Sequence, residues 1–362
     1  MKIAFVNQDP GIKPARAKGA AIHLEAMRAA FRAGGHEVVA FDESSPELLG
    51  TRLASSAHRG PFDLVYERYA LGATAGCRYA QLEGIPHVLE VNAPLIEEAE
   101  RFRELQDGAK LRQEEAWLFA HTSLISAVST DVAAACAAGC DDHAPIVVLP
   151  NGIDPEVFHV GQREGARGRA GLPAERFVVG FHGRLRPWHN FAALARATAG
   201  LLAAGVDAHL LCVGRGDFAA ELAAATDGVF PLDRFTHREW VPYESVGALI
   251  GAFDCLPLTY GSEGPHYFSP IKLREAMAVG AVPVVPAVGD LTQTVLHGEN
   301  GLVFTPGDEP GLTRELLALA GDPVRRARLG AAAAEAAGRH TWLHIANRVL
   351  DELGLAVEAT GR

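Results

Sequence analysis

Residues 267–280 read Tyr267-Phe268-Ser269-Pro270-Ile271-Lys272-Leu273-Arg274-Glu275-Ala276-Met277-Ala278-Val279-Gly280, and an apolar run, Val282 to Val285, follows at once. Serine at an N-cap, proline at the first helical position and glycine after the last turn spell a short helix. The apolar run Cys255 to Leu258 precedes it, which makes a strand, loop, helix and strand in succession. That is the unit from which parallel sheets covered by helices are built.

The same alternation extends through the whole chain. Upstream in this half, strands are expected at Phe177 to Phe181 and His209 to Val213, and downstream at Leu302 to Phe304. In the first half they fall at Lys2 to Val6, Glu37 to Phe41, Asp63 to Tyr66, His87 to Val91, Leu124 to Val128 and Ile146 to Leu149. Helices are expected at Ala20 to Ala33, stopped by Gly34-Gly35, and at Arg101 to Ala120. Between the halves lies Pro150-Asn151-Gly152-Ile153-Asp154, then a Gly-rich basic stretch through Gly161, Arg163, Gly165, Arg167 and Gly168, which is turn and linker chemistry. The expectation is an α/β chain with an N-terminal Rossmann-like domain over 1–168, a C-terminal one over 169–340, and a last helical segment over 341–362 that packs on either domain. A chain of 362 residues is too long for one core, which fits two domains.

Composition narrows the class. Charged residues are 21% and hydrophobic ones 48%, with no apolar run of membrane-spanning length, so a soluble protein is expected. The start, MKIAFVNQDP, carries only four apolar residues in a row and reads as a buried strand, not a signal peptide. Five cysteines, at 77, 136, 140, 212 and 255, form no CxxC pair; disulfides and zinc are not expected, and a cytoplasmic location is. A formal charge of −11 disfavours nucleic acid as a partner. Any anionic ligand must then meet local positive groups.

Two stretches supply them. At the start of the helix in 267–280, the backbone N–H groups of Ile271 and Lys272 point out of the N-terminus, where unpaired donors and the macrodipole favour an anion. Lys272 sits in that first turn against the dipole, and a bound phosphate would offset the cost. Glu275, three residues on, faces the same side about 4.5 Å further along the axis, in place for ribose hydroxyls. An ordinary capped helix with a Lys–Glu pair is the plain alternative. The second stretch, His182-Gly183-Arg184-Leu185-Arg186-Pro187-Trp188-His189-Asn190, leaves the carboxyl end of a strand, where ligands bind in such sheets. Arg184 is the candidate to grip a diphosphate. Arg186 reads as a solvated charge and Trp188 as packing.

These residues resemble the retaining GT-B glycosyltransferases of glycosyltransferase family 4. The resemblance runs through Gly35-His36-Glu37-Val38, Pro150-Asn151-Gly152-Ile153-Asp154, Gly183-Arg184-Leu185, Glu275-Ala276-Met277-Ala278-Val279-Gly280 and Gly298-Glu299-Asn300-Gly301-Leu302-Val303. It implies two Rossmann-like domains facing across a cleft and transfer of a sugar from a nucleotide-diphosphate sugar to an acceptor hydroxyl with retention. It also implies that Arg184 and a basic residue hold the donor diphosphate, and that Glu275 binds its ribose. The implied donor site comprises Gly183, Arg184, His189, Tyr267, Ser269, Pro270, Ile271, Lys272 and Glu275, with Arg184, Lys272 and Asn92 as the catalytic set.

Three positions depart from the family pattern. His189 stands where a Lys is usual, so its charge would depend on pH. Tyr267 replaces a frequent Glu, with Glu263 nearby as a substitute, and Asn92 stands where a His is common. A catalytically silent nucleotide- or glycan-binding module, or a pseudo-transferase or phosphorylase acting on another activated group, is the alternative that these departures support. The acceptor, a small molecule or glycan, is expected in the first half. Its first βα loop, Asn7 to Gly19, is 13 residues long against the usual two to six and holds Lys13, Arg16, Lys18 and Gly19. Lys18 and Gly19 are thus the candidate acceptor or phosphate loop. No GxGxxG follows Val6, which argues against a nicotinamide dehydrogenase. No Asp-x-Asp triplet occurs, so no cofactor and no metal are expected.

Overall fold

The computed structural model describes residues 1–12, 19–102, 105–262 and 269–355. In the first half, β1 (Lys2–Asn7), β2 (Glu37–Asp42), β3 (Leu64–Arg68), β4 (His87–Val91), β5 (Leu124–Ala127) and β6 (Ile146–Val148) form one sheet in the order β2-β1-β3-β4-β5-β6. In the second, β7 (Phe177–His182), β8 (Ala208–Val213), β9 (Phe235–Arg238), β10 (Cys255–Pro257), β11 (Val282–Pro286) and β12 (Leu302–Phe304) form another in the order β12-β11-β10-β7-β8-β9. The ladders in both sheets are parallel, with Ile3 opposite Val38 and Leu64, and Val179 opposite Leu210 and Cys255.

Short apolar runs become strands here because helices cover both faces, so β1, β7, β8 and β11 are buried almost residue for residue. One face of the second sheet packs Val179, Phe181, Leu210, Cys212 and Val284 against Leu194, Phe218 and Leu316 from the helices. β9 was not expected from the sequence. Its residues Phe-Thr-His-Arg are half-buried or exposed at the edge of the sheet, so no apolar run marks them. The single helix expected over 101–120 is instead two, Leu95–Phe102 and Gly108–His121, and Asp107 just before the second has a left-handed backbone (φ 56°) that a continuous helix forbids.

The chain divides into two compact units. One holds Met1–Gly152, Ser269 and the helix Trp342–Glu352; the other runs from Ile153 to Thr341 apart from that short excursion. Residues 153–168, expected in the first domain, therefore belong with the second. Burial of Asp254 explains it: Arg167 Nη2 meets Asp254 Oδ2 at 2.8 Å, and Arg163 Nη1 donates to Phe253 O at 2.8 Å. The helix Trp342–Glu352 packs on Gly19–Ala33, with the Trp342 ring 4.7 Å from that of His23.

Strand order locates the ligand sites. The second sheet grows outward from β7 through β8 and β9, then β10 returns to the other side of β7. The loops after β7 and β10 diverge there, the place where sheets of this kind bind ligands at the carboxyl ends of their strands. In the first sheet the equivalent point lies between β1 and β3.

Candidate active site

The loop after β7 is knitted to the loop after β8. Gly183 N–H donates to Val213 O and Leu185 N–H to Arg215 O, both at 2.8 Å. Gly214 holds φ 138°, and a Cβ there would stand 2.1 Å from Gly183 O, so two backbones touch where any side chain would part them. Arg184 rides on this platform and is exposed. Its fixed base and free head suit a group that closes on an arriving anion.

Below it, the helix Ile271–Ala278 begins with Pro270 as N-cap, and no side chain caps it. Ser269 was expected to do so. Its Oγ instead accepts the Asn151 N–H at 3.1 Å, while Asn151 Nδ2 donates to Ser269 O at 3.0 Å. With the hydroxyl committed elsewhere, the first-turn N–H groups keep their anion-binding potential. Gly280, at φ 80°, ends the helix as the sequence suggests.

Lys272 and Glu275 do not form the intrahelical pair of the plain alternative. Glu275 is only 7% exposed, and among the described residues no carboxylate reaches ion-pair distance of Lys272. Lys272 Nζ lies 2.8 Å from His189 Nε2 and 4.7 Å from the centre of the Phe181 ring. His182, at the end of β7, reaches Lys272 O with Nε2 at 2.9 Å and places Nδ1 3.6 Å from Glu275 Oε2. Thr259 after β10 donates to His189 O at 2.6 Å, which ties the two loops at the divergence point.

Burial governs the charges of this set. Desolvation pulls Lys272 down to about 7, with Glu275 opposing. Desolvation likewise pushes Glu275 up to about 8 against the pull of Lys272. His182 falls to about 4 through burial, despite its bond to Lys272 O. His189 falls to about 3, through burial first and then Lys272 and Arg186. The pH dependence expected for the His189 charge is therefore shifted well to the acid side, and the fold favours the neutral ring. Arg274, also buried, is lowered to about 10 by desolvation and turns toward Thr294 Oγ1 at 3.5 Å.

Asn92 lies in the first unit, just beyond β4. Its Nδ2 donates to Glu90 Oε1, so its Oδ1 is left to accept from a ligand. Glu90 is buried and also meets Arg68 Nη1 at 3.0 Å, His23 Nε2 at 3.0 Å and the Tyr66 hydroxyl. Burial alone would raise this carboxyl; His23, Arg68 and Tyr66 outweigh it and hold it below the ordinary range. Nearby, Gln8 and His87 both bond the buried Glu67. Gly19 opens the helix Gly19–Ala33. Tyr267, Lys18, Lys13, Arg16 and Glu263 lie outside the described residues.

Sequence reasoning passed over His182, Arg68 and Glu90 as functional candidates, and the Gly214-Arg215-Gly216 loop. A signal existed for each: a polar residue inside an otherwise apolar strand, or glycines flanking an arginine at a strand end.

Comparison with known proteins gives the family and the fold. The model described as "Glycosyltransferase Family 4" matches residues 45–157, and that described as "Glycosyl transferases group 1" matches 176–322. A D-inositol 3-phosphate glycosyltransferase from Stackebrandtia nassauensis is 32% identical over 324 residues, covering 83% of this chain and 69% of the relative. The chain belongs to glycosyltransferase family 4. As a family 4 glycosyltransferase it has the GT-B fold. Anabaena Alr3699/HepE in complex with UDP and glucose superposes with a TM-score of 0.72 at 23% identity, covering 98% of this chain and 99% of that one. A glycosyltransferase from Rickettsia africae gives 0.74 at 13% identity, covering 97% of each. Among the described residues no helix is long and apolar enough to cross a membrane.

Proposed function

We propose that this family 4 glycosyltransferase takes a sugar from a nucleotide-diphosphate sugar bound at the divergence of β7 and β10 and transfers it to an acceptor hydroxyl with retention. The observation that carries the reading is the half-buried Lys272 set against the buried Glu275, His182 and His189 beside an uncapped helix N-terminus. Arg184, Lys272 and the N–H groups of Ile271 and Lys272 hold the diphosphate and stabilise charge as it develops on the leaving phosphate. Gly183 lets the backbone approach it, Ser269 and Pro270 set the helix start, and Glu275 accepts from the ribose hydroxyls. Asn92, oriented by Glu90, offers Oδ1 to a hydroxyl on the acceptor side.

UDP is the first nucleotide to try, because the Anabaena structure holds it, and an inositol phosphate is the first acceptor, from the Stackebrandtia relative's name. The reading is metal-independent, on the ground that the sequence has no Asp-x-Asp triplet. The test is incubation with UDP-, GDP-, ADP- and TDP-sugars and a polyol phosphate, scored for nucleoside diphosphate release. The anomeric coupling of the product decides retention, and EDTA decides metal dependence. Binding of a nucleotide sugar with no turnover on any polyol or glycan acceptor would make the protein a silent module instead.

A further inference from the structure

The hydrogen bonds around His189 fix more than its position. Its Nδ1 accepts the backbone N–H of Arg186 at 3.2 Å, so the ring proton of this neutral imidazole sits on Nε2. Nε2 is the atom 2.8 Å from Lys272 Nζ. An ammonium would there set N–H against N–H, two donors with no acceptor between them. A neutral amine has a lone pair and accepts the Nε2–H. The backbone contact of Arg186, through the tautomer it imposes, therefore selects the uncharged form of Lys272.

We propose that His189 is a positioning residue that keeps Lys272 as a neutral amine in the empty donor site, and that the amine takes one proton from solvent when a diphosphate arrives. The bond formed is N–H on the Nζ lone pair, and the resulting ammonium faces the phosphate oxygens. The role of the ligand rests on the donor reading above; the neutral amine does not.

The groups facing Lys272 agree. From β7 comes His182, a neutral ring that donates to Lys272 O. The turn after β7 brings His189 and, beyond it, the cation Arg186, which helps to keep the His189 ring neutral. On the same helix Glu275 would favour an ammonium, yet burial pushes its own carboxyl toward the neutral acid. The Phe181 face would favour a cation as well, by an interaction small beside the cost of burying an unpaired charge. Burial pulls Lys272 itself down to about 7. Lys272 held this way carries no standing positive charge to desolvate, and gains one only when the diphosphate that needs it is present.

The protein has five lysines, at 2, 13, 18, 110 and 272, which makes a direct measurement simple. The full chain labelled with ¹³C at lysine Cε is titrated by NMR, and Lys272 is assigned by its loss in Lys272→Met. The expected result is four signals with midpoints near the ordinary lysine value of about 10.4, and the Lys272 signal with a midpoint close to 7. In His189→Gln, whose amide oxygen can accept from an ammonium, the Lys272 midpoint rises by more than one pH unit. Wild-type Lys272 titrating with the other four overturns the proposal, and a midpoint unmoved in His189→Gln removes His189 from it.

UDP is then added at about pH 8.5, between the two expected midpoints. Its phosphates are fully ionised there, so the Lys272 signal should move to the protonated position. Calorimetry in two buffers of different ionisation enthalpy should show uptake of up to about one proton per UDP bound. Binding without proton uptake overturns the second half of the proposal. If no nucleoside diphosphate binds, the donor reading fails, while the ligand-free titration still decides the state of Lys272.

Discussion

The two ends of β10 bury charge in opposite ways. Before the strand, Asp254 is 4% exposed and saturated: Arg167 lies at 2.8 Å, Arg326 at 3.3 Å and Arg163 at 3.9 Å, and the Val178 N–H donates to it at 2.7 Å. Beyond the strand, the half-buried Lys272 and the buried Glu275 lack partners of that kind, and both are driven toward neutrality. The amino end of the sheet has all its partners within the chain and ties residues 163 and 167 to the core. The carboxyl end leaves these groups without such partners, which a diphosphate and a ribose would supply under the proposed function. Incomplete pairing at a strand's carboxyl end, with complete pairing at its amino end, distinguishes a binding site from a structural cluster of equal polarity.

The comparison predicts, first, that Arg184→Ala and Lys272→Met each lower kcat by about 100-fold or more, since each removes a group facing the leaving phosphate. Steady-state kinetics with the best nucleotide sugar checks this; kcat within a few-fold of wild type would place the leaving group elsewhere. Second, Asp254→Ala leaves three arginines without their carboxylate and should cost about 3–5 kcal/mol of stability, read by urea unfolding. A loss below 1 kcal/mol would erase the contrast between the two ends.

Glu275→Gln sharpens the contrast, because affinity and stability should move in opposite directions. Nucleoside diphosphate affinity should fall about 10-fold or more as a ribose contact weakens. For stability, the folded-state value is raised to about 8 from 4.5, so the folded protein holds a proton that the unfolded chain has released. Stability therefore falls as pH rises from 4.5 to 8, and the variant, free of that penalty, should gain on the order of 1–3 kcal/mol at pH 8 and nothing near pH 4. Lys272→Met should show the mirror image. The lysine is lowered from 10.5 to about 7, so its penalty is complete below 7 and disappears as pH climbs to 10.5. Thermal unfolding across pH for the two variants and wild type reads both signs, and parallel pH profiles would refute them. The smallest effect belongs to Arg186→Ala. Its side chain is exposed beside Trp188, so KM and kcat should stay within about three-fold, as expected for a solvated charge.

Much of this was legible in the order of residues. A parallel sheet buried on both faces writes each strand as a continuous apolar run, so His87–Val91 and Leu302–Phe304 could be read to the residue. Pro270 and Gly280 bracket the helix Ile271–Ala278 through local backbone preferences that need no partner. These are properties of neighbours in sequence. β9 escaped because an edge strand need not be apolar, and residues 153–168 join the second unit because the buried carboxylate of Asp254, 87 residues beyond Arg167, holds them.

The chemistry of the site was decided by tertiary structure. His189 and Lys272 are 83 residues apart, and only the crossing of two loops at the divergence of β7 and β10 brings their nitrogens to 2.8 Å. Ser269 bears the right residue type for a cap, yet Asn151, 118 residues away, takes its hydroxyl. A sequence determines which groups can titrate and where along a strand or helix they stand. Whether they carry charge depends on how much water the fold removes and which partners it brings, and both are sums over segments distant in the chain.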